Sequence, residues 1–154
     1  MTTLKQALHK KNPFDSPEQE ALLNLWRTSD LTQNRFGRLF REYGITASQY
    51  NVLRILRGVG RPLPCLEIAG QMIQAVPAIT RVIDQMDAGR LIRRRRCEED
   101  RRVVYVELAP RGRRLLQKLE GPVLEMHNRL LRHLSAGEIK ELSSLLEKAR
   151  MELE

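Results

Sequence analysis

The feature that most restricts this chain is a single change of period. Apolar residues recur at helical spacing from about residue 22 to residue 88 and again beyond residue 111, but between Leu91 and Leu108 the spacing turns alternating. Val103-Val104-Tyr105-Val106-Glu107-Leu108 is rich in β-branched residues and reads as a strand that Pro110 closes. Leu91-Ile92-Arg93 opens an extended partner, and the polar stretch Cys97 to Asp100 is turn-like. Together they predict one β-hairpin whose tip holds Glu98, Glu99, Asp100, Arg101 and Arg102, set in an otherwise helical chain.

The helices are marked by their ends. Residues 1–15 are polar, contain Pro13, and read as an arm with at most a short helical turn. Ser16-Pro17-Glu18-Gln19 then starts a helix: Ser caps it, Pro tolerates the first position, and Gln19 completes a capping box. Apolar residues at 22, 25, 26, 36, 39, 40 and 43 form a stripe that Gly44 ends, so this helix can exceed 25 residues. Thr46-Ala47-Ser48-Gln49 repeats the capping pattern and opens a helix through Val52, Leu53, Ile55 and Leu56, broken by Gly58 to Pro64. Two short helices follow, Cys65 to about Met72 and Gln74 to Ala88. In the second, Val76, Ile79, Ile83 and Met86 share one face, Pro77 sits in the first turn, and Gly89 suits a left-handed terminal position. After the hairpin a helix runs from about Arg111 to Leu131, with a kink expected at Gly121-Pro122. Ser135-Ala136-Gly137-Glu138 caps a last amphipathic helix carrying Ile139, Leu142, Leu145, Leu146 and Ala149.

Charge is distributed unevenly over these elements. The 154 residues carry 27 Lys and Arg against 19 Asp and Glu, a net +8, and 21 of the cations are arginine. Residues 88–114 alone hold ten arginines against Glu98, Glu99, Asp100 and Glu107, a net +6. A solvated surface would intersperse the signs, whereas Arg93-Arg94-Arg95-Arg96 does not, which points to a polyanionic partner. Hydrophobic content of 42% rules out general disorder, and no apolar run approaches membrane-spanning length. Residues 1–14 lack a secretory apolar stretch, and two cysteines, Cys65 and Cys97, make no disulfide scaffold, so a reducing cytoplasm is expected.

Helix, short turn, helix and basic hairpin is the layout of a winged helix-turn-helix, a mainly α fold with a small β-hairpin wing. Burial of Val76, Ile79, Ile83 and Met86 leaves Pro77, Ala78, Thr80, Arg81 and Gln85 toward the outside. Small residues there let the helix enter a major groove. Arg81 can donate two hydrogen bonds to a guanine edge, and Thr80 can meet a phosphate or a thymine methyl. A surface ion pair with Asp84 is the competing role for Arg81. The candidate DNA contacts are Gln74, Pro77, Ala78, Thr80, Arg81 and Gln85 from the helix region, and Arg95, Asp100, Arg101 and Arg102 from the wing.

The segment AITRVIDQMDAGRLIRRRRCEEDRRVVYVELAPRGRRLL resembles the signature of the MarR (multiple antibiotic resistance regulator) family of winged helix-turn-helix repressors. The likeness rests on a helix ending in Gly, the Leu91-Ile92 lead into the wing, Asp100-Arg101-Arg102 as an Asp-x-Arg tip, and Val106 to Gly112 as a VxLxPxG exit. ITASQYNVLRIL is similar to the family's preceding helix. The resemblance spans roughly 18–150 and is densest over 62–114. It implies a homodimer built from the terminal helices 16–45 and 111–154, which carry more Leu than a small domain can hide. The lobe 46–110 would bind a pseudo-palindromic operator through its helix-turn-helix (65–89) and wing (91–108). Arg102 then matches the arginine that reaches the minor groove and Asp100 the acid that holds the tip by a salt bridge, whereas Arg101 is less fixed by the pattern and can serve as a phosphate contact. The resemblance also implies release by a small aromatic or phenolic effector, for which Trp26, Phe36, Tyr50 and Arg54 are candidate contacts, each also suited to core packing. Four consecutive wing arginines exceed the family pattern, and strand alternation puts about half on each face, so some must pair with acids or phosphates and not all can meet DNA.

No catalytic constellation, glycine-rich phosphate loop or cofactor site is present in the sequence. His9, His127 and His133 have no metal-ligand company. Two other readings remain at this level. One is a protein-interaction module on the same scaffold that no longer binds DNA. The other is a redox sensor using Cys97, whose basic surroundings would lower its pKa. An RNA-binding role is disfavoured by an aromatic content of 5%.

Overall fold

The computed structural model describes residues 2–96 and 103–153, which fall into two compact units, one up to Ala47 and one from Ser48 onward. In the first unit, α1 (Leu4–Ala7) carries a capping box between Thr3 and Gln6 and lies against α2 (Pro17–Glu42). Ser16 caps α2 by accepting from the Gln19 amide, with Pro17 at the first position, as the sequence predicts. Gly44 (φ +73°) ends it in a Schellman turn: the Ile45 amide reaches the Phe40 carbonyl at 3.1 Å and the Gly44 amide the Arg41 carbonyl at 3.0 Å.

The second unit contains α3 (Ala47–Val59) from Ser48 onward, β1 (Leu63–Pro64), α4 (Cys65–Gly70), α5 (Ile79–Ala88), β2 (Ile92–Arg96), β3 (Val104–Leu108), α6 (Pro110–Leu131) and α7 (Ala136–Arg150). The sheet is antiparallel in the order β1-β3-β2. Leu63 pairs with Val106, Ile92 with Leu108 and Arg94 with Val106, so one face presents Leu63, Ile92, Val106 and Leu108 to the core. Ile68 of α4, Ile83 and Met86 of α5, Val52 and Leu53 of α3, and Leu116 and Leu119 of α6 complete that core, all at 1% exposure or less.

Three features depart from the sequence reading. β1 was absent from it, because two residues ending in proline show no alternation; Pro64 is tolerated at the edge of the sheet. The fifth helix begins at Ile79 rather than near Gln74. Pro77 disfavours helical geometry at Val76, and Ala78 takes a left-handed conformation (φ +62°, ψ +48°) as the N-cap. Pro77 therefore precedes the helix instead of occupying its first turn. At the other end the left-handed residue is Arg90 (φ +56°), while Gly89 is right-handed at φ −75°. The hydrogen bonds give the reason. The Leu91 amide reaches the Met86 carbonyl (2.9 Å) and the Arg90 amide the Asp87 carbonyl (2.8 Å), a Schellman turn with Arg90 in the position that usually takes glycine. The helix α6 runs unbroken through Gly121 and Pro122, whose missing N–H forfeits the bond to the Lys118 carbonyl.

The turn after α5 also explains a distant glycine. Leu91 accepts from the Ala109 amide at 3.2 Å, and a Cβ on Gly112 would overlap the Leu91 carbonyl oxygen while lying 3.1 Å from Leu53 Cδ2. Gly112→Ala must push α6 off this backbone, and we expect a loss of about 1–3 kcal/mol. Urea unfolding should show a lower midpoint with an unchanged slope. A midpoint equal to that of the parent chain would contradict the close approach.

Candidate nucleic-acid interface

Helix α5 separates a buried face from an exposed one. Ile83 and Met86 are buried and Ile79 and Val82 half-buried, whereas Thr80, Arg81, Asp84, Gln85 and Ala88 are exposed. That is the i, i+3/i+4 spacing of one helix face. Gln74, Pro77 and Ala78 are exposed too, but in the turn before the helix. Ala78 offers no side-chain cap, and within the first turn of α5 the Arg81 amide donates to the Ala78 carbonyl at 2.9 Å.

The register of the wing sorts its arginines. Arg93 stands opposite Glu107 and Arg95 opposite Tyr105, on the face turned away from the core. Arg94 and Arg96 stand opposite Val106 and Val104 and share the face of Ile92. From that face Arg94 donates from Nη1 to Asp84 Oδ1 of α5, forming an ion pair that ties the wing to the helix. Strand alternation leaves acids or phosphates as partners for part of the arginine run; Arg94 takes an acid, and the sequence reading does not single it out. The signal was there, since Arg94 lies two residues beyond buried Ile92. Arg111, in the first turn of α6, donates to the Gly89 carbonyl at 3.0 Å and so caps the end of α5. Among the described residues, no ion pair engages Arg81, Arg95 or Arg96. Asp84, the acid that could have occupied Arg81, is held by Arg94 instead. Asp100, Arg101 and Arg102, and with them Cys97, lie outside the described residues.

The candidate effector contacts divide between the two units. Trp26 is 64% exposed on α2, and Phe36 stacks on Phe40 with ring centroids 5.9 Å apart. Tyr50 and Arg54 belong to α3, where Arg54 donates to Asn51 Oδ1 at 3.1 Å. Among the described residues there is no group of three or more His, Cys, Asp or Glu able to hold a metal, and no helix long and apolar enough to cross a membrane.

Residues 45–104, from the start of α3 through the wing, match the model of the MarR family. The helix-turn-helix type transcriptional regulator YsmB of Bacillus subtilis is 30% identical over 116 residues, covering 75% of this chain and 76% of its own. A MarR transcription factor from Planctomyces limnophilus, solved as a crystal structure, shares 44% identity over 88% of this chain and 98% of that one, with a TM-score of 0.69. The chain belongs to the MarR family. Its members are transcription regulators and not enzymes, and α4, α5 and the β2–β3 hairpin are the helix-turn-helix and wing of this MarR-family regulator. The fold is shared by BpsR of Bordetella bronchiseptica at 24% identity and a TM-score of 0.73, over 81% of this chain and 94% of that one. BpsR is a protein whose DNA binding is regulated by 6-hydroxynicotinic acid.

Cys65, the first residue of α4, is half-buried beside the Arg94–Asp84 pair. Burial pushes its thiol above the usual range; the Arg94 charge pulls it back and the Asp84 charge adds to the rise. A raised pKa keeps the thiol protonated and unreactive near neutral pH. In a Cys97→Ser background, the pH midpoint for iodoacetamide alkylation of Cys65 should lie above that of the urea-unfolded chain. A midpoint below it would show an activated thiol and contradict burial as the dominant influence on Cys65.

Proposed function

We propose that this MarR-family regulator is a homodimeric repressor that reads duplex DNA in a sequence-specific way and is released by a small aromatic or phenolic ligand. The observation that carries the reading is the exposed face of α5, with Thr80, Arg81 and Gln85, next to a wing strand of four exposed arginines. Arg81 carries a bidentate donor pair suited to the N7 and O6 acceptors of guanine, and Gln85 can bond an adenine edge. Gln74, Pro77 and Ala78 form the turn that approaches the groove with the first turn of α5. Arg95 and Arg96, on opposite faces of β2, supply phosphate contacts. Arg102 at the wing tip reaches the minor groove, steadied by Asp100, with Arg101 on the backbone, as the family pattern implies.

The dimer is supported by apolar surface on the terminal helices. Helix α7 buries none of its residues, and Ile139, Leu142 and Leu145 are exposed at spacing that puts them on one face. On α2, Leu22, Leu25 and Trp26 repeat the pattern. Two-fold pairing of such faces would set two copies of α5 at half-sites about one helical turn apart, ~10 bp. Release by a ligand is supported by the aromatic acid that acts on BpsR, together with Tyr50 and Arg54 four residues apart on α3, an aromatic ring and a cation. A soluble cytoplasmic location accords with this role.

The test is a duplex selected by the protein from a random-sequence pool. Arg81→Ala should cost about 1–3 kcal/mol at one base position and relax selectivity there. Arg102→Ala should weaken binding to all duplexes and reduce the salt slope by about one. If both variants bind the selected duplex as the parent does, these residues do not read it.

A further inference from the structure

A helix face that meets a polyanion is a poor place for an acid, yet Asp84 stands on the exposed face of α5, with its side chain 53% exposed, between Arg81 and Gln85. Left unpaired, its carboxylate would repel the phosphates that Arg81 approaches. The carboxylate is instead taken by Arg94. Both partners are fixed at the backbone: Asp84 follows fully buried Ile83, and Arg94 lies opposite fully buried Val106 in the middle of the β2–β3 ladder. Helix and strand diverge at the Schellman turn of Arg90 and Leu91, and the ion pair closes the angle between them on the far side of that turn. Arg95 and Arg96 follow Arg94 along β2, so a small error in this angle grows outward along the strand.

We infer that the Asp84–Arg94 ion pair is a strap that sets the angle between recognition helix and wing, making Arg94 a positioning residue and not a phosphate ligand. The inference rests on the DNA-reading function proposed above. A contact in the major groove and a contact at the wing reinforce each other only if both can form at once on the same duplex. The strap therefore matters for a cognate site, where base edges fix the position of α5. On arbitrary DNA, phosphate charge supplies nearly all the affinity and the angle matters little. Bulk electrostatics makes the opposite forecast for Asp84, since removing an acid from a DNA-facing surface should tighten every complex.

The experiment uses the full chain, a duplex selected by the parent protein from a random pool, and a scrambled duplex of the same length and composition, with affinities measured over a salt series. Asp84→Asn should bind the scrambled duplex more tightly, which also shows that the variant is folded, and the selected duplex about 2- to 5-fold more weakly. Arg94→Gln should weaken binding to the selected duplex while keeping the parent salt slope, where loss of a phosphate ligand would flatten it by about one. The double variant should bind the selected duplex no more weakly than the weaker single one, because the two residues act as a unit. The strap is overturned if Asp84→Asn binds the selected duplex as tightly as the parent or more tightly, if Arg94→Gln flattens the slope, or if the two losses add. A parent chain that selects no duplex overturns the DNA-reading function itself, and the strap with it.

Discussion

The DNA-binding lobe depends on the backbone of one residue. Leu91 donates its N–H to Met86 and so terminates α5; its carbonyl accepts from Ala109 at the start of α6. Gly112 presses against that same carbonyl, and Ile92 follows as the first residue of β2. Helix, wing and the long C-terminal helix are thus joined within a few ångströms, on polar groups that burial forces into partnership. Leu91 itself is buried, which keeps water from competing for those bonds. Arg111 reinforces the junction from α6 by bonding the Gly89 carbonyl. The glycine of the family's exit motif acquires a physical reason here. What the position requires is the absence of a Cβ.

The same junction gives the charge of the chain its order. A net +6 over residues 88–114 resembles a diffuse basic patch only until its arginines are assigned one by one. Arg111 holds the end of α5 and Arg94 holds Asp84, so both serve the architecture. Arg95 and Arg96 lie on opposite faces of the strand, available for an anion on either side. Exposed ion pairs contribute little stability, about 0–1 kcal/mol each. Their role in this lobe is to fix directions between rigid elements whose stability comes from the apolar core.

Much of this was legible because the signals were local. Capping residues Ser16 and Ser135 begin their helices where the pattern says, and the switch to alternation at Leu91 marks the wing. The details that escaped depend on contacts distant in sequence or on backbone competition. β1 exists because β3 offers an open edge to two residues that have no strand pattern of their own. The start of α5 shifts to Ile79 because Pro77 constrains its predecessor, an effect that apolar periodicity cannot register. Gly89 looked like the left-handed terminus, but the Schellman bonds count from Met86 and fall on Arg90. The exposure of Thr80, Arg81 and Gln85 on one face of α5 follows from helix spacing alone. The strap was not, because it needs the strand register and the turn geometry together.

Hydroxyl-radical footprinting of the full chain on its selected duplex tests the central claim most directly, since it maps where a dimer of winged helices touches the backbone. Two equivalent protected stretches related by a two-fold axis, about one helical turn apart, with further protection where each wing extends outward, is the predicted result. Protection of a single unsymmetrical stretch, or uniform protection that does not depend on sequence, would contradict the account.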